Sequence, residues 1–142
     1  MSNMRVLVVD DSPANRKVAK VFLEREGHVA IEASGGLEAI DLVQSQSFDV
    51  VLMDIAMPQI DGLETTHTIR RLPAPFQQVP IVAWTAHDIP GMRLQCASAG
   101  MDGYLTKPVQ RTPLVEKLQE VVAAARNGIG GGAAVSSGQV AF

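Results

Sequence analysis

The stretch DVVLMDIAMPQIDGLE, residues 49–64, decides the fold. From Val50 to Met53 it is apolar without interruption, as a strand covered on both faces reads, and it ends in the carboxylate of Asp54. Beyond Pro58 comes Asp61-Gly62, where an acidic cap precedes Leu63, Thr66 and Ile69 at helical spacing. A strand followed by a helix, with charge at the strand's carboxyl end, is the repeating unit of a parallel α/β sheet.

The flanking sequence repeats this unit. Residues 5–10 (RVLVVD) and 80–85 (PIVAWT) are again short, β-branched and nearly continuous in apolar character. Residues 28–33 (HVAIEA) alternate as an edge strand would, and residues 102–106 (DGYLT) form the shortest expected strand. Helix signals fall between them. Ser12-Pro13 sets a capping hydroxyl before a proline, with Val18 and Phe22 supplying an apolar face. Leu37, Ile40 and Val43 mark a second helix, and residues 90–99 a fourth, ended by Gly100. Thr112-Pro113 repeats the capping device before Leu114, Leu118, Val121 and Val122. Five strand–helix pairs predict an α/β doubly wound, five-stranded parallel sheet with right-handed crossovers.

Composition narrows the class. The chain has 142 residues, 46% hydrophobic and 19% charged, enough apolar material for one core and too much for a disordered chain. Its apolar runs of four or five residues fall far short of the roughly 20 that a membrane span needs. Arg5 leads directly into a strand and two aspartates, so no secretory signal is expected, and the lone Cys96, read as a packing residue, suits a reducing cytoplasm. A formal charge of −3, from 12 basic and 15 acidic residues, makes no case for nucleic-acid binding. Residues 1–126 read as one domain. Residues 127–142, with five glycines from Gly128 to Gly138, read as a flexible tail or linker stub.

In such sheets the functional crevice lies outside the carboxyl ends of the strands. Those ends carry Asp10-Asp11, Asp54 and Thr85-Ala86, and the fifth strand is followed by Lys107-Pro108. In the common five-strand order the first and third strands are neighbours, so three carboxylates converge. Clustered anions disfavour each other's ionisation unless a cation screens them. A divalent metal with a preference for hard oxygen, Mg²⁺ above all, answers that need. With Lys107 as a mobile cation and Thr85 as a hydroxyl donor, the set suits phosphoryl chemistry on a carboxylate. Taken singly, each residue reads as a cap, a strand end or a solvated loop cation.

The segments VLVVDDS, DVVLMDIAMPQIDGLE, AWTAH and AGMDGYLTKP resemble, in order and spacing, those of response-regulator receiver domains of two-component signalling. The resemblance covers residues 4–125. It implies the flavodoxin-like receiver fold with strand order 2-1-3-4-5, and a phosphorelay role in which Asp54 accepts a phosphoryl group from a partner phosphohistidine. It assigns Mg²⁺, with Mn²⁺ as a substitute, to Asp10, Asp11, Asp54 and the backbone carbonyl of Ala56. Lys107 would bridge Asp54 and a phosphoryl oxygen, Thr85 would bind another, and the Lys107–Pro108 bond would be cis. Thr85 and Tyr104 would form the switch, re-shaping the surface of the fourth helix, fifth strand and fifth helix. Ala56 and His87 stand where family members tune hydrolysis of the acyl phosphate.

The same resemblance names a histidine kinase or histidine phosphotransfer protein as partner, with the effector unspecified. The domain would catalyse only its own phosphorylation and dephosphorylation. The segments Ser12 to Arg16 and Ala86-His87 are similar to receivers attached to hybrid sensor kinases. Trp84, which precedes the switch threonine, is expected to face away into packing, and His28 and His67 are expected at the surface. Other classes lack their marks. There is no G-x-G-x-x-G after the first strand, no G-x-x-x-x-G-K-[ST], and no Asp-x-Asp nucleophile of a haloacid-dehalogenase-like phosphatase. A degenerate receiver used only for binding would normally lack one of the acidic pair, the acceptor or the lysine, and all are present.

Overall fold

A computed structural model describes residues 3–127. In chain order the elements are β1 (Arg5–Val9), α1 (Pro13–Arg25), β2 (Val29–Ala33), α2 (Gly36–Ser45), β3 (Val50–Asp54), α3 (Gly62–Arg70), β4 (Ile81–Thr85), α4 (Met92–Ala99), β5 (Gly103–Thr106) and α5 (Arg111–Arg126). The five strands are parallel in the order β2-β1-β3-β4-β5. This is the doubly wound sheet expected from the sequence. The tail expected after Asn127 lies outside the described residues.

The central strands explain their composition. Every residue of β3 and β4 is buried, because helices cover both faces of the sheet. On one face Val6, Val8, Leu52 and Trp84 pack against Leu23 of α1 and Leu114 and Leu118 of α5. On the other, Leu7, Val51 and Met53 meet Val43 of α2, Ile69 of α3 and Cys96 of α4. The Cys96 thiol is buried, and burial pushes it up to about 11, so it is an inert packing residue.

Several local expectations shift by a residue or two. The buried stripe of α1 runs through Ala19 and Leu23, leaving Val18 exposed, and that of α2 through Gly36, Ala39 and Val43, leaving Leu37 exposed. Small residues face the sheet there because the helices lie close to it. Thr112-Pro113 does not cap α5, which starts at Arg111 after Gln110, since proline is tolerated throughout a first helical turn. α4 begins at Met92 rather than residue 90, because Gly91 takes a left-handed conformation with φ 86°. His28 is buried rather than at the surface, and its Nδ1 accepts the Met4 N–H at 2.9 Å.

The turn from β3 into α3 bears most directly on the site. Asp61 caps α3 by accepting the Glu64 N–H at 2.8 Å. Gly62 lies so close to the end of β3 that a Cβ there would stand 2.2 Å from the Asp54 carbonyl oxygen and 2.9 Å from Ile55 Cα. Gly35 has open space around its Cβ direction and an extended backbone. Gly62→Ala should therefore destabilise the domain by more than about 2 kcal/mol, whereas Gly35→Ala should be neutral or stabilising by up to about 1 kcal/mol. Urea unfolding of the two variants checks the contrast.

Candidate functional site

The carboxyl ends of β1, β3 and β4 meet at one edge of the sheet. Val9 pairs with Met53, so Asp10 and Asp54, each one residue further on, emerge side by side. Asp10 is fully buried and Asp54 is 4% exposed, while Asp11 stands at the surface. Carboxylate oxygens of all three lie within 4.8 Å of one another. Asp10 Oδ1 accepts the Ser12 N–H at 2.8 Å, which aims the side chain back under the β1–α1 loop. Arg16 secures that loop by donating to the Asp10 carbonyl at 2.7 Å and to Glu32 of β2 at 2.9 Å.

Lys107 closes the site from above. Its Nζ donates to Asp10 Oδ2 at 2.7 Å and to Asp54 Oδ1 at 3.2 Å, and lies 4.7 Å from the centre of the Trp84 ring. The Lys107–Pro108 peptide is cis. Thr85, 1% exposed, ends β4 beside Asp54, and its hydroxyl oxygen accepts the His87 N–H at 3.0 Å. Ala56 and His87 lie on exposed turns beyond β3 and β4.

Three carboxylates and one ammonium leave a formal charge of −2. Burial, and next the neighbouring Asp10, push the Asp54 carboxyl up to about 6, although Lys107 opposes the rise. Hard oxygen donors, two of them buried, with that residual charge fit a divalent metal such as Mg²⁺.

Tyr104 sits on β5, 4% exposed, with its hydroxyl donating to Asp88 Oδ1 at 2.9 Å. The Arg93 guanidinium lies 4.4 Å over the ring and 3.9 Å from the same Asp88 oxygen. The ring is thus already inward while the Thr85 hydroxyl is tied to its own loop. Asp88 and Arg93 were not singled out in the sequence, because nothing in their spacing to Tyr104 marks the contact. The grip of Arg16 on the Asp10 carbonyl is likewise visible only in three dimensions.

A fold with acidic residues gathered at the carboxyl ends of β1 and β3 and a lysine after β5 defines a class of signalling domain. A family model of the response regulator receiver domain matches residues 6–119, and the chain belongs to that family. Among similar proteins, the sensor protein GacS of Pseudomonas syringae pv. syringae is 42% identical over 114 residues, covering 79% of this chain and 13% of that protein. The signal transduction histidine-protein kinase BarA of Escherichia coli K12 is 39% identical over 112 residues, covering 78% and 12%. The chain thus spans only a small fraction of the curated relatives it matches. The receiver domain of a sensor histidine kinase from Pseudomonas aeruginosa PAO1, with a magnesium ion coordinated in its active-site cleft, superposes with a TM-score of 0.78 at 34% identity, covering 86% of this chain and 99% of that one.

Two consequences of this geometry are measurable. The raised Asp54 value means that ionising the carboxylate opposes folding above about pH 6 and ceases to do so as the pH falls through 6 toward 4. Metal-free Asp54→Asn should therefore be more stable than the parent by about 1–3 kcal/mol at pH 7.5, a difference that shrinks toward pH 4 in thermal unfolding. The phenol of Tyr104, the chain's one tyrosine, is pushed up to about 12 by burial and then by its bond to Asp88. Asp88→Ala should lower its titration only part of the way, because burial remains, read as tyrosinate absorbance.

Proposed function

We propose that the domain is a phosphorelay acceptor, taking a phosphoryl group onto Asp54 from a phosphohistidine of a histidine kinase or histidine phosphotransfer protein. The observation that carries this is the paired, buried Asp10 and Asp54 with the Lys107 ammonium donating to both. Such a pair is a poor structural element, since burying two carboxylates against one ammonium leaves uncompensated charge. It is well suited to receive a trianionic transition state once a further cation is present.

In this reading a carboxylate oxygen of Asp54 forms the new O–P bond as the P–N bond to the donor imidazole breaks, and the imidazole leaves neutral after protonation. Lys107 bridges Asp54 and an equatorial phosphoryl oxygen as that carboxylate becomes an acyl phosphate, and the Thr85 hydroxyl turns from its loop to donate to another. Asp10, Asp11, Asp54 and the Ala56 carbonyl would hold Mg²⁺, or Mn²⁺ in its place. Bound there, the metal would supply charge neutralisation for the incoming phosphoryl oxygens.

When Thr85 turns, the contacts around Tyr104 on the face of α4, β5 and α5 re-balance, and that face carries the signal to an effector. Full reversal of a resting 99:1 equilibrium takes about 5.5 kcal/mol, within reach of several charge-assisted contacts. Catalysis is confined to the domain's own acyl phosphate, and Ala56 and His87 border its access to water. A phosphohistidine donor made from ATP places the domain in the cytoplasm. Similarity to sensor kinases supports a receiver that works as part of a hybrid kinase.

Incubation with acetyl phosphate and Mg²⁺ should add one phosphoryl group, sensitive to hydroxylamine by mass spectrometry and lost in Asp54→Asn. Absence of the adduct would favour a pure binding module. Steady turnover of free phosphate esters would favour a phosphatase.

A further inference from the structure

Lys107 has a third neighbour besides Asp10 and Asp54, the ring of Trp84. Trp84 is the penultimate residue of β4, paired in register with Asp54 on one side and Leu105 on the other. As expected, it points to the sheet face opposite its neighbour Thr85, into the cluster with Leu114 and Leu118. Yet its ring also lies 4.7 Å below the Lys107 ammonium, whose side chain is only 14% exposed.

A second feature shows that packing is not the whole account of this side chain. Trp84 Nε1 is buried with no acceptor among the described residues. A buried N–H without a partner is costly, and a phenylalanine or leucine would fill apolar space without it. What the indole has that those lack is the most electron-rich face for a cation.

We propose that Trp84 is a positioning residue for Lys107, its ring holding the ammonium at the mouth of the site while the carboxylates beneath change partners. The proposal rests on the reading of Asp54 as phosphoacceptor. In the resting domain two of the three ammonium protons go to Asp10 and Asp54. When Asp54 is esterified its negative charge is lost from that contact, leaving Asp10 as the one charged carboxylate bonded to Nζ. The ring contact is unaffected by the transfer, so it keeps Nζ within reach of a phosphoryl oxygen. A lysine charge is a point on a flexible four-carbon stem, and the ring adds a second fixed contact to the bond with Asp10.

The test compares Trp84→Phe and Trp84→Leu with the parent, using acetyl phosphate at saturating Mg²⁺ and urea unfolding. Leucine should slow phosphorylation about tenfold, and phenylalanine, which keeps a weaker face, only about twofold to threefold. Trp84→Phe gives up buried volume but also the orphaned N–H, so it should remain folded at the assay temperature, and urea unfolding confirms that its slower rate is read on folded protein. Independently of any phosphodonor, Lys107→Met should alter the emission of Trp84, the only tryptophan in the chain. A folded Trp84→Leu phosphorylated at the parental rate, or emission unchanged in Lys107→Met, overturns the proposal. If the leucine variant does not fold, the phenylalanine rate decides, and parity with the parent overturns it. If the parent accepts no phosphoryl group, the acceptor reading fails and the role in transfer with it. The emission comparison then reports separately whether ring and ammonium touch.

Discussion

Asp10 and Asp54 leave the ends of neighbouring parallel strands side by side, both buried, with one ammonium between them. The rest of the domain can be understood as what makes that arrangement possible. Parallel strands place their carboxyl ends on one edge, and only a sheet covered on both faces keeps that edge dry enough for the charges to act strongly on each other. Around this edge the backbone is fastened closely. Arg16 holds the Asp10 carbonyl, Ser12 N–H holds its carboxylate, and Gly62 lets α3 start against the Asp54 carbonyl. The site is rigid where chemistry is expected and underneutralised where a metal and a phosphoryl group are expected.

The switch region is built differently. Tyr104 is held inward by Asp88 and Arg93, two residues of the β4–α4 loop and α4, both themselves half-exposed. Thr85 hydrogen-bonds within the same loop. Interactions of exposed charges are individually weak, so this region can be re-balanced by a few kcal/mol without disturbing the sheet. Acceptor site and switch are joined through β4, which pairs with β3 at Asp54 on one side and with β5 at Tyr104 on the other.

Sequence and structure agree most closely where a residue's role is local. The continuous apolar runs of β3 and β4, the Asp61 cap and the Gly100 helix end are each dictated by a few adjacent residues, and each was read where it falls. Disagreements arise where a neighbour in space decides. Val18 and Leu37 look like core by periodicity, yet small residues one or two positions away face the sheet. His28 looks like a surface residue, yet the Met4 N–H needs an acceptor in the interior. Trp84 reads as packing, and packs, but its ring also meets Lys107.

By itself the sequence determined the number, type and order of the strands and helices, and the residues standing at the strand ends. These follow from side-chain periodicity and backbone preference, which act over a few residues. Only the tertiary structure decided which of those residues touch. Lys107 reaches Asp10 across 97 positions of sequence and Asp54 across 53, and the inward clasp of Tyr104 by Asp88 spans 16. No local pattern encodes such meetings. They exist because strand order and helix packing bring distant segments to a common edge, where distance and burial, rather than sequence spacing, set the electrostatics.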